Sequence, residues 1–107
     1  MDGRRTHRRL TPASTALARV ILPPPASPAT AAVLDFTALG VRLYLAPHLA
    51  PGQAAALELL GLPAPQRRLL GLRVVHARRT GAGGCVLGCR LDEPLTDAEL
   101  AALMRGG

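Results

Sequence analysis

From residue 15 to residue 91, apolar and polar positions alternate in short blocks cut by proline and glycine, and the pattern predicts six strands. The first covers residues 15–22 and stops at Pro23-Pro24-Pro25. The second covers 30–34 and leads into a turn at 35–40, Asp-Phe-Thr-Ala-Leu-Gly. The third, 41–45, sets Val41, Leu43 and Leu45 against Arg42 and Tyr44, the period of a half-buried strand. Residues 54–60 have helical propensity but room for only about two turns. They lie between Pro51-Gly52 and Gly61-Leu62-Pro63, so we read them as a fourth strand. The fifth, 67–78, carries Leu69, Gly71, Arg73, Val75 and Ala77 on one side; a glycine-rich turn at 80–84 then returns the chain into the sixth, 85–91.

The tail follows a different period. Thr96-Asp97-Ala98-Glu99 is a capping box, in which the Thr96 hydroxyl and the Glu99 carboxylate satisfy each other's amides. Leu100, Leu103 and Met104 form an apolar stripe, Arg105 suits a helix C-terminus and Gly106 can end it. Six short strands followed by one amphipathic helix make the fold class mainly all-β, a small barrel or sandwich.

Composition sharpens this. At 107 residues the chain has room for one small domain, and with Phe36 and Tyr44 as the two aromatics the core must be built from Leu, Val, Ala and Ile. Arg19, the proline triplet, Asp35 and Arg42 interrupt every apolar run well short of the ~18 residues a membrane span needs. The same interruptions suit a secretory signal poorly, so a cytoplasmic location is expected. Cys85 and Cys89 fall within one strand, ~13 Å apart, too far for a disulfide or a shared metal.

Charge changes the picture more. The net charge is +6, and half of that excess sits in residues 1–10, where Arg4, Arg5, Arg8 and Arg9 stand against Asp2. We divide the chain into a basic arm, residues 1–14, and a barrel with its helix, residues 15–107. All thirteen basic residues are arginine, a planar fork that grips phosphate bidentately and stacks on flat rings. Catalysis finds no support: His7, His48 and His76 sit in unlike contexts, and no zinc, phosphate-loop or nucleophile motif occurs. No enzyme activity, metal or cofactor is therefore expected.

Two segments carry chemistry. The arm offers Arg-x-x-x-Arg in two registers, Arg5 with Arg9 or Arg4 with Arg8, and Asp35, Thr37 and Gly40 form Asp-x-hydroxyl-x-x-Gly. Together they resemble the paired signature of the PilZ domain, the bacterial receptor module for cyclic di-GMP. The Pro-Gly connection near 46–59, the hairpin 74–91 with Gly88, and Pro94-Leu95 before the capped helix extend the likeness in order. The resemblance implies a six-stranded antiparallel β-barrel with one C-terminal helix. It also implies a cyclic di-GMP site at Arg5, Arg9, Asp35, Thr37 and Gly40, with Arg4 and Arg8 as the alternative register. Arg5 and Arg9 are preferred because Leu10 follows Arg9, as a small apolar residue commonly does in the family. Thr37 stands where the family has serine, and Arg8 where it often has proline.

The chemistry suits that ligand. Arginines can hold its phosphates and fork onto guanine O6 and N7, while a carboxylate accepts from the N1 and N2 donors on the opposite edge. The expected function is a receptor whose arm orders over the barrel on binding and signals through a protein partner or self-association. The alternative is a ligand-independent adaptor of the same fold in pilus or motility machinery. A nucleic-acid binder is the third reading, and two aromatics make a poor stacking platform for it.

Overall fold

The computed structural model describes residues 9–12 and 15–105. Strands β1 (Ala16–Ile21), β2 (Ala29–Thr37), β3 (Gly40–Leu45), β4 (Ala54–Leu59), β5 (Leu70–Arg79) and β6 (Cys85–Leu91) are followed by helix α1 (Asp97–Arg105). The strands close into a barrel in the order β1-β2-β3-β6-β5-β4, with β4 returning to β1, and every pairing is antiparallel. Closure removes the exposed strand edges that a sheet of this size would otherwise present.

The alternation expected from the sequence fills the barrel. Ala16, Ala18 and Val20 of β1, Val41, Leu43 and Leu45 of β3, and Cys85, Leu87 and Cys89 of β6 all point into one core. Phe36 is its largest side chain, and Leu and Val supply most of the rest. Both cysteines are free and buried. Burial, with the nearby Cys85 thiol adding to it, pushes the Cys89 thiol up to about 11.

The fourth segment is a strand: β4 is held between β1 and β5. Three details differ from the sequence expectation. Strand β2 runs through Asp35 to Thr37, leaving only Ala38 and Leu39 as the turn into β3. Strand β5 starts at Leu70, because Arg67 is occupied capping the preceding loop, its Nε and Nη2 donating to the carbonyls of Leu62 (2.7 Å) and Leu60 (3.0 Å). Along β5 the odd residues are the outer side only as far as Val75. A register shift between Val74 and His76 sends Val75 and His76 both outward and turns Ala77 back toward the core.

Helix α1 seats Ala102 and Leu103 in the core with Leu95, whereas Met104, expected in the apolar stripe, is 45% exposed. The nine-residue helix lies on the barrel through a narrower face than the sequence suggested. The capping box forms as expected: the Glu99 amide donates to Thr96 Oγ1 (3.1 Å) and the Thr96 amide to Glu99 Oε1 (2.8 Å). Glu99 is nevertheless buried, and Arg68 answers its charge with Nε on Oε2 (2.9 Å) and Nη2 on Oε1 (3.0 Å). The same guanidinium reaches Glu93 and the Pro94 carbonyl, so one side chain ties the approach to β5 to the start of the helix.

The Arg68 bonds hold the Glu99 carboxyl below its ordinary range. A carboxylate depressed on folding contributes stability above its unfolded pKa of about 4.3, and that stability is lost as pH falls through the lower folded value. Glu99→Gln is expected to cost about 2 kcal/mol at pH 7 by urea denaturation. The difference from the native chain should shrink below about pH 4.

Candidate ligand-binding site

The site begins with an irregularity in β2. Val33 pairs with Leu43 and Asp35 with Arg42, so Leu34 is an extra residue and the in-out alternation breaks there. Strict alternation from Val33 would aim Asp35 into the apolar core. The bulge turns it to the outer face beside Arg42, and Phe36 takes the next inward position. The turn then fixes the register: two residues between Thr37 and Gly40 set Phe36 opposite Val41 and Asp35 opposite Arg42.

Asp35 is covered by arginines instead of by the core, its side chain retaining 8% exposure. Arg9 Nη1 donates to Oδ1 (2.9 Å), and Arg42 donates to Oδ2 through Nε (2.8 Å) and Nη2. Arg9 reaches across 26 residues of sequence because Leu10 is pinned next to it: the backbones of Leu10 and Phe36 exchange two hydrogen bonds, each 2.8 Å. Arg9, Asp35, Thr37 and Gly40 thereby line one cavity. Arg4, Arg5 and Arg8 lie outside the described residues.

Thr37 and Gly40 have local duties as well. Thr37 Oγ1 accepts from the Leu39 amide (3.1 Å), which steadies a turn that lacks the usual glycine or asparagine. Gly40 lies against β6, where a Cβ would come 2.9 Å from the Cys89 carbonyl oxygen. Close backbone approach therefore explains this glycine without reference to a ligand.

Sequence reasoning did not place Arg42, Gly88, His76 or Arg90 at the site. Arg42, Gly88 and His76 form one row across β3, β6 and β5 on the outer face. Arg42 reads in sequence as an ordinary solvated strand position. The signal that could have found it was the hairpin arithmetic, since a two-residue turn necessarily sets residue 42 opposite residue 35. Arg90, opposite Gly40, completes that flank. A cavity of about 410 Å³ lies over Arg9, Asp35, Thr37, Arg42, His76 and Arg90. It adjoins a second of about 380 Å³ that shares Arg9, Arg42, His76 and Gly88 and adds Arg78. Among the described residues, cationic groups so outnumber the single lining carboxylate, Asp35, and the cleft suits an anion that also carries hydrogen-bond donors. Among the described residues, no cluster of His, Cys, Asp or Glu could hold a metal ion, and no helix is long and apolar enough to cross a membrane.

A family model described as PilZ domain matches residues 3–106. The chain belongs to the PilZ domain family. Its fold agrees with two solved structures. The PilZ domain with c-di-GMP of YcgR from Escherichia coli superposes with a TM-score of 0.66 at 14% identity, covering 95% of this chain and 87% of that one. The Bacillus subtilis inhibitor of motility, MotI/DgrA, gives 0.62 at 15% identity, covering 92% of this chain but 47% of that longer protein. No curated protein matches by sequence. At these identities the likeness establishes this PilZ barrel's architecture, and the site must be argued from its own residues.

The two glycines of this PilZ cleft should respond differently to substitution. Gly40→Ala drives a Cβ into the fixed Cys89 carbonyl and should cost about 1–3 kcal/mol by chemical denaturation. Gly88→Ala places its Cβ 3.5 Å from His76, ordinary contact, and should stay within about 0.5 kcal/mol of the native chain.

Proposed function

We propose that this chain is a cyclic di-GMP receptor, acting in the cytoplasm by binding and not by catalysis. The observation that carries the reading is the convergence of Arg9 from the N-terminal segment with Asp35 and Arg42 of the β2–β3 hairpin at one cationic cleft. Arg9, paired with Arg5, contacts phosphate or guanine through its planar fork. The Arg4 and Arg8 register is the alternative use of the same segment. Asp35 accepts from guanine N1 and N2, Thr37 adds a hydroxyl, and Gly40 keeps the backbone close. The E. coli neighbour, described as a complex with c-di-GMP, supports the choice of ligand by likeness of fold.

In this proposal the arm spans residues 1–14 and the barrel with its helix 15–107. The arm orders over the barrel on binding, and the Leu10–Phe36 backbone bonds anchor it beside Arg9. Output passes through a protein partner or self-association. A ligand-independent adaptor role in motility is the second reading, and the likeness to the Bacillus motility inhibitor favours it.

Calorimetry with cyclic di-GMP tests the proposal. The native chain should bind, and Arg5→Ala, Arg9→Ala and Asp35→Ala should each weaken binding by roughly tenfold or more. Undetectable binding by the native chain at about 50 µM ligand would overturn the receptor reading; co-purification with a protein partner would then support the adaptor.

A further inference from the structure

The Asp35 carboxylate presents a difficulty for any ligand that must use it. A carboxylate has about four lone-pair sites, and here Arg9 takes one while Arg42 takes two. The side chain is also almost fully covered, with 8% exposure. An incoming guanine edge needs two acceptor positions in the carboxylate plane, so at least one arginine must leave first. Arg42 is the better placed to do so. Its backbone is fixed between β2 and β6, while its side chain is 45% exposed and borders both cavities. Across the strand from it stands Gly88, which lines both cavities and places no side chain between them. There the guanidinium would meet Arg78 and His76, which line that second cavity with no carboxylate among the described lining residues. A cation entering that space needs an anion to receive it, and a ligand phosphate is such a group.

We infer that Arg42 is an exchangeable counter-ion with two positions. In the empty site it closes Asp35; in the occupied site it crosses over Gly88 and grips a ligand phosphate, leaving Asp35 to the base. The Asp35–Arg42 pair is then an autoinhibitory contact: the ligand must replace it with two new ones, a base on Asp35 and a phosphate on Arg42. A ligand bearing only one of these groups gains one contact and loses another. The pair thus selects for a molecule that carries an anionic phosphate and an N–H edge at a fixed separation. This inference rests on the receptor reading above and adds the residue that sets its threshold.

The test uses the full chain, isotope-labelled with 15N, and follows the Arg42 Nε–H resonance, assigned by its loss in Arg42→Gln. In the free chain that resonance should shift when Asp35→Asn is introduced. At saturating cyclic di-GMP it should move to a new position that Asp35→Asn no longer alters. By calorimetry, Arg42→Gln should bind roughly tenfold to a hundredfold more weakly than the native chain. Gly88→Val, which obstructs the crossing but leaves both partners intact, should weaken binding while preserving the free-state resonance. A native chain that binds ligand with the Arg42 resonance unmoved, or an Arg42→Gln affinity within about twofold of native, would overturn the inference and leave the receptor reading standing. A native chain that does not bind overturns both.

Discussion

Ala38 and Leu39 carry β2 into β3, and the shortness of that connection decides what faces the cleft. A turn one residue longer would slip the pairing and send Arg42 to the opposite face of the sheet, away from Asp35. The turn is secured from several directions. Thr37 Oγ1 takes the Leu39 amide, and the carbonyls of Ala38 and Leu39 accept from the amides of Leu95 (2.8 Å) and Leu91 (2.9 Å). Leu95 leads directly into the capping box, which Arg68 fastens to the segment before β5. The clamp at the C-terminal helix and the register that sets Asp35 opposite Arg42 are therefore one continuous structure, and loosening the first should reach the second.

Among the described residues two carboxylates are buried, and their surroundings explain why one is a fastening and the other a candidate site. Glu99 shares its oxygens between Arg68 and its own helix cap, and Arg68 spends further donors on Glu93 and Pro94. Its side chain is 35% exposed and is committed on several sides. Asp35 is held by two arginines, of which Arg9 is 59% exposed and Arg42 45%, and both border a cavity. Burying a carboxylate is costly unless charge and hydrogen bonds offset the loss of water. Both pairs meet that requirement, yet only the second leaves its cations within reach of a further anion.

The barrel was largely legible because its strands obey a period of two and its breaks are proline and glycine. Strand β6 falls on the expected residues, and the helix start follows from Thr96 and Glu99. What escaped shares a cause. Bulges at Leu34 and Val75 insert one residue against none, so a rule of strict alternation misplaces whatever follows them. For that reason Asp35 read as part of a turn, and Ala77 was grouped with outward residues. Arg42 was passed over because its meaning lies across the hairpin and not along the chain. That Arg9 and Asp35 share one site was suggested only by family resemblance, since no local pattern joins residues 26 apart, and their direct ion pair was not foreseen.

Arginine content alone would have pointed elsewhere. A net charge of +6 with no lysine invites a reading as a polyanion binder. In the barrel, though, many of these guanidiniums have particular structural partners: Arg67 the carbonyls of Leu60 and Leu62, Arg73 the carbonyl of Gly52, Arg19 the Glu58 carboxylate, and Arg68 the helix cap. A guanidinium engaged by a backbone carbonyl has its fork oriented inward along the chain, where it reinforces a loop and offers little to a phosphate. Charge counted from the sequence weighs all arginines equally, whereas their acceptors sort them into those that hold the fold and those left to face a ligand. By that criterion Arg9 and Arg42 stand apart, because their shared acceptor is a carboxylate at the edge of an open cleft and can be given over to another donor.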